Sequence, residues 1–140
     1  MSEEQAARIV AFVEARIADD ERIARDAATG TSWGGMKTGP EWVALRGAVE
    51  DAESGGTIVH DEGMPTSAQA EHIARHDPAR ALRDVAAKRL LFAKQAPVID
   101  GTQSSWTWFE GSESEPEKVM QVLALPYADH PDYDPTWAPK

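Results

Sequence analysis

Proline at position 78 lacks the backbone donor that a helix interior needs, and it disfavours helical geometry in Asp77 before it. It stands inside AEHIARHDPARALRDVAAKRLLF, Ala70 to Phe92, which otherwise carries a helical pattern throughout. This stretch therefore predicts two helices with a break, one ending near His76 and one starting at once. Asp77 suits the N-cap of the second helix, and Pro78 suits its first position, where a missing N–H costs nothing. Thr66 or Ser67 can cap the first helix, whose short apolar face is Ala70, Ile73 and Ala74. The second helix turns Ala81, Leu82, Val85, Ala86, Leu90 and Ala93 inward and is expected at the centre of the core.

The chain before this break opens with a long helix. Ser2 and Gln5 form a capping box, and Glu3 and Glu4 sit where the helix dipole favours acids. Ile9, Val10, Phe12, Val13 and Ile17 make one apolar stripe, thinning to Ile23 and Ala24 before a stop at Gly30. Residues 29–40 are a glycine-rich connection containing Trp33. A large aromatic in such a loop either folds back on the core, the commoner outcome, or faces a partner. Residues 42–60 admit a helix bearing Trp42, Leu45 and Val49. The favoured alternative is a strand, WVALRGAV, turning through EDAESGG into a second strand, TIVHD.

After the central helices, Ile99-Asp100-Gly101-Thr102 suggests a turn. Trp106, Thr107, Trp108 and Phe109 favour a further strand. Ser114, Pro116 and Glu117 repeat the grammar of a helix start, and Val119, Val122 and Leu123 give that last helix its buried side. The tail, residues 126–140, holds four prolines and is expected to run extended over the surface. The whole predicts one domain, 1–140, of the α+β class and mostly helical. Its parts are a long N-terminal helix, a broken central helix pair, a short C-terminal helix and a small antiparallel sheet.

Composition narrows the function classes. With no cysteine, disulfides, thiolate metal sites and cysteine nucleophiles are excluded. The net charge of -10, from 24 acidic against 14 basic side chains, repels phosphates, so direct nucleic-acid binding is not expected. No apolar run is long enough to span a bilayer, and MSEEQAARIV lacks the basic flank of a signal peptide. A cytoplasmic protein without a membrane role is the expectation.

Two sets of residues could carry chemistry. His72 and His76, four apart, project from one helical face about 6 Å apart at Cβ, a spacing that offers two imidazoles to zinc or nickel. A third ligand would come from His130, Asp129 or Asp132 in the tail, or from His60. The intervening Ile73, Ala74 and Arg75 contain no glutamate, so the HExxH peptidase mechanism is absent, and Arg75 opposes a bound cation. The bland reading makes His72 a packing residue and His76 part of helix-end capping, and it outweighs the metal reading. Trp33, Tyr133 and Trp137 are the candidate interaction residues; Tyr127 is a further aromatic docking point of the tail. The basic residues Arg75, Arg80, Arg83, Lys88 and Arg89 are expected to pair internally with acids such as Asp19 and Asp20, or to be solvated.

HIARHDPARALRDVAAKR and LALPYADHPDYDPTWAP resemble signature segments of DUF6221, a family of unknown function common in actinobacteria and their phages. IVAFVEARIADDERIAR is similar in pattern as well. The resemblance covers about half of the chain and implies a host range but no catalytic residues. The favoured expectation is a small acidic, non-enzymatic protein-interaction module with a protein partner or a second copy of itself, and no cofactor. The alternatives are a metal-binding protein using His72, His76 and His130, and a small-molecule enzyme of unrecognised type.

Overall fold

The structure, a computed structural model, describes residues 2–60, 62, 65–99 and 116–139, and for residues 96–99 the backbone alone. The protein is α+β and mostly helical. Helix α1 spans Glu3–Ala27. Five short strands follow: β1 (Gly30–Thr31), β2 (Lys37–Thr38), β3 (Trp42–Leu45), β4 (Ala48–Asp51) and β5 (Thr57–Val59). Helices α2 (Ser67–Arg75), α3 (Pro78–Ile99) and α4 (Pro116–Ala124) complete the described elements, with single 3-10 turns at Leu125–Tyr127 and Pro135–Trp137. The expected strand at Trp106–Phe109, the residues 100–102 of the turn before it and the Ser114 cap lie outside the described residues. None of the described helices is long and apolar enough to cross a membrane.

The chain forms two compact units, one of Met1–Asp19 with Ala86–Lys140 and one of Asp20–Val85. In the second unit, β1 pairs antiparallel with β2, and β3, β4 and β5 form a three-stranded antiparallel sheet in that order. WVALRGAV is thus neither a helix nor one strand. It folds back on itself through Arg46-Gly47, pairing Leu45 with Ala48 and Trp42 with Asp51. Both turn residues have positive φ, 52° at Arg46 and 83° at Gly47, the geometry of a two-residue hairpin turn that follows strand twist. Glycine adopts it freely and arginine does not.

Small side chains then bring a helix against this sheet. Ala70 and Ala74, one turn apart on α2, are buried with Val49 of β4, and Trp42, Ile58, Val59 and Ile73 pack around them. The start of α2 is a capping box: Thr66 Oγ1 accepts from the Gln69 N–H at 3.2 Å, and Gln69 Oε1 accepts from the Thr66 N–H at 2.8 Å. Asp77 does two things at the break. Its Oδ1 accepts from the Arg80 N–H at 2.8 Å, capping α3, and its Oδ2 accepts from the Trp42 N–H at 3.2 Å, holding β3. The Pro78 break is therefore also the place where sheet and helices are fastened together.

Asp51, buried at the end of β4, fastens the loops. It accepts from the backbone N–H groups of Ser54 at 2.7 Å and Gly39 at 2.6 Å. These bonds, the Ser54 amide first, then the Gly39 amide and the Ser54 hydroxyl, hold its carboxyl below the usual aspartate value.

In the first unit, Ser2 and Gln5 close the expected capping box, and Ile9, Phe12, Val13 and Ile17 of α1 are buried. Phe12 is the hub of an aromatic cluster. Its ring centroid lies 5.2 Å from Trp137, 5.6 Å from His130, 6.0 Å from Tyr133 and 6.4 Å from Tyr127. The tail is therefore coiled where an extended run was expected. Pro126 is the second residue of one 3-10 turn and Pro135 starts another, which Asp134 caps by accepting from the Thr136 N–H at 2.9 Å. Two helical faces differ from expectation. Leu90 and Ala86 of α3 are exposed, and α4 buries Met120, Leu123 and Ala124 while Val122 faces outward. Val85 is the α3 residue from the predicted stripe that is fully enclosed; Ala81 and Leu82 are half-buried.

Candidate functional site

Trp33 occupies the tip of the β1–β2 hairpin. The Gly35 N–H donates to the Ser32 carbonyl at 2.9 Å and the Ser32 N–H to the Met36 carbonyl at 2.8 Å. Gly35 has a φ of 78°, so Trp33-Gly34-Gly35 is a three-residue loop, a tight turn completed by a left-handed glycine. That geometry needs Gly35 and makes no demand for an aromatic at position 33. The indole is 101% exposed, and Met36 beside it is also exposed. The commoner outcome for such a residue, folding back on the core, does not occur.

Two histidines of the second unit sit together. His72 and His76 project from α2 with ring centroids 4.3 Å apart and planes tilted by 35°. His76 Nδ1 lies 2.8 Å from the His72 carbonyl; because a carbonyl only accepts, that nitrogen carries the proton. The His76 N–H also bonds the His72 and Ile73 carbonyls, each at 3.2 Å, which closes the end of α2. Arg75 pairs one turn back with Glu71 at 3.5 Å, and Arg80 lies 3.8 Å from Asp84. These basic residues are met by acids of their own helices. Among the described residues, no group of three or more His, Asp or Glu side chains is placed to hold a metal ion.

His130, the third histidine of the predicted set, belongs to the first unit. Arg16 reaches it with one terminal nitrogen 2.6 Å from Nε2, and the other terminal nitrogen donates to Asp19 Oδ2 at 2.9 Å. Tyr133 and Trp137 stand in the same unit, Tyr133 half-buried and Trp137 only 2% exposed. They contact each other edge to face at 5.7 Å. Lys88 donates to the Tyr127 hydroxyl at 2.7 Å.

Around these aromatic residues lies an open groove of about 690 Å³. Arg8, Ala11, Phe12, Ala15 and Arg16 of α1 form one wall, and residues 131–135 with Trp137 form the other. Arg8 lies 3.5 Å from Asp134 and 5.8 Å from the Trp137 ring centroid. The Thr136 hydroxyl and amide, and then Arg8, hold the Asp134 carboxyl below its usual value. Sequence reasoning found Tyr133 and Trp137 but not the α1 wall. The available signal was the spacing of Arg8, Phe12 and Arg16 at successive turns, with alanines between them.

A mostly helical α+β protein with an aromatic turn tip and an open, aromatic-lined groove is what the fold defines. The chain belongs to a family of unknown function, DUF6221, which matches it over residues 6–139. No curated protein and no solved structure matches it.

Proposed function

We propose that the chain is a protein-interaction module and that Trp33 is its anchor. The observation that carries this reading is the full exposure of an indole on a turn whose geometry does not require it. Tryptophan is among the residues that contribute most when enclosed by a partner, and it has few rotatable bonds to immobilise on binding. An exposed tryptophan with no packing role is best accounted for by an interface. The acidic composition, the absence of cysteine and the resemblance to actinobacterial and phage sequences support a cytoplasmic setting in such a host.

The test places a photo-crosslinking amino acid at position 36, where exposed Met36 stands beside Trp33, so that the indole is kept. It is irradiated in the purified chain, where a second copy would be trapped, and in extract of the source cell, where another protein would be. The trapped partner, purified, should bind the wild-type chain and lose about tenfold to thirtyfold in affinity against Trp33→Ala. Crosslinking to nothing, or equal affinity for wild type and variant, contradicts the reading.

A further inference from the structure

We infer that the groove of the first unit binds a monocarboxylate carried on an apolar or aromatic body, a second site independent of Trp33. Its size, about 690 Å³, falls in the range of small-ligand sites. Ala11 and Ala15, exposed on α1, are too short to fill the space between Arg8 and Arg16, which stand about 12 Å apart along the helix. Pro131 and Pro135 fix the backbone of the opposite wall, so the groove is formed before any ligand enters. Tyr133, half-buried, supplies apolar ring surface, while Phe12 and Trp137, nearly enclosed, add little.

The two guanidiniums differ in what they can offer. Arg16 is 16% exposed and engaged with His130 and Asp19. Arg8 is 55% exposed, and its approach to Asp134, 3.5 Å, is longer than a good charge-assisted hydrogen bond. Its fork therefore has donors to present, in the arrangement that matches a carboxylate. Tyr133 Oη and Trp137 Nε1, on residues lining the groove, are buried polar atoms without a hydrogen-bond partner. Both atoms are closed to solvent and so to a ligand in the open groove; it is the cationic fork at the rim that calls for a ligand with paired acceptors. The Asp132 side chain, 80% exposed, and Asp134 also line the groove, so a second negative charge on the ligand would be repelled. That opposition selects a single carboxylate over a phosphate or a dicarboxylate.

The probe is N-acetylphenylalanine, titrated into the isotope-labelled full chain and followed by amide NMR. The expected result is a saturable shift of residues 8–16 and 131–137, about tenfold weaker or more with the neutral N-acetylphenylalaninamide. Arg8→Gln should weaken binding to the same degree with an unchanged melting temperature. Arg8→Lys, which keeps the charge without the fork, should fall between the two. A peptide ending in a free phenylalanine carboxylate distinguishes the source. If it binds as well as the free compound, the ligand is a chain terminus, and if it does not, the ligand is a small molecule. Absence of shifts at millimolar probe, equal binding of the amide, or binding unaffected by Arg8→Gln would overturn the assignment.

Discussion

Arg46 carries a conformational cost at one residue. Its φ of 52° places an ordinary side chain in the left-handed region, at the first position of a turn for which asparagine is much better suited. Arg46→Asn should raise stability by about 0.5–1 kcal/mol, and Arg46→Val should lower it by at least as much, measured by urea unfolding. Asp51 has a pH signature of its own. Its folded-state value lies below the ordinary 3.8, so the unfolded chain takes up the proton more readily. The stabilisation it gives is complete above that value and is lost as pH falls from 3.8 through the lower folded value; Asp134 adds to the same window. Unfolding free energies of wild type and Asp51→Asn should therefore differ at pH 6 and converge towards pH 3. Parallel curves would show that the Gly39 and Ser54 bonds carry no such linkage.

Among the elements, the junction at Pro78 joins cap, strand and helix through one carboxylate. Asp77→Ala removes the N-cap of α3 and leaves the Trp42 N–H without its acceptor. The expected loss is about 2 kcal/mol in chemical unfolding, with Asp77→Asn retaining part of it. This junction was half legible in the sequence. Asp77-Pro78 states a cap and a helix start in local chemistry, as Ser2-Gln5 and Thr66-Gln69 state theirs. The bond to Trp42, 35 residues away, has no local signature. The hairpin teaches the same lesson in reverse. Gly47 weakens a helix by its composition alone, and its meaning as a turn residue emerges once Arg46 is seen at positive φ. The exposed face of α3 was not legible, because an apolar stripe states which residues can be buried and not what covers them. Trp33 was legible as an anomaly alone, since two neighbouring glycines announce a turn but not the direction of its aromatic side chain.

In the whole molecule, two tryptophans of similar chemistry have opposite environments. Trp137 is enclosed in the Phe12 cluster and Trp33 touches nothing that holds it. Enclosure predicts that Trp137→Ala costs about 3–5 kcal/mol, seen as a large drop in denaturation midpoint. Exposure predicts that Trp33→Ala stays within about 0.5 kcal/mol of wild type. The difference matters for function, because a residue with no structural task can be removed without confusing lost binding with lost folding. The groove beside Trp137 lacks that advantage at its floor, which is why Arg8 at its rim is the residue to alter there.

The most direct measurement is therefore a paired one on Trp33→Ala: urea unfolding of the variant, and its affinity for the partner trapped from position 36. The account predicts unchanged stability and a loss of affinity of about tenfold or more. A variant that unfolds early would show that the indole serves the fold. One that binds with wild-type affinity would show that the exposed tryptophan is not the anchor.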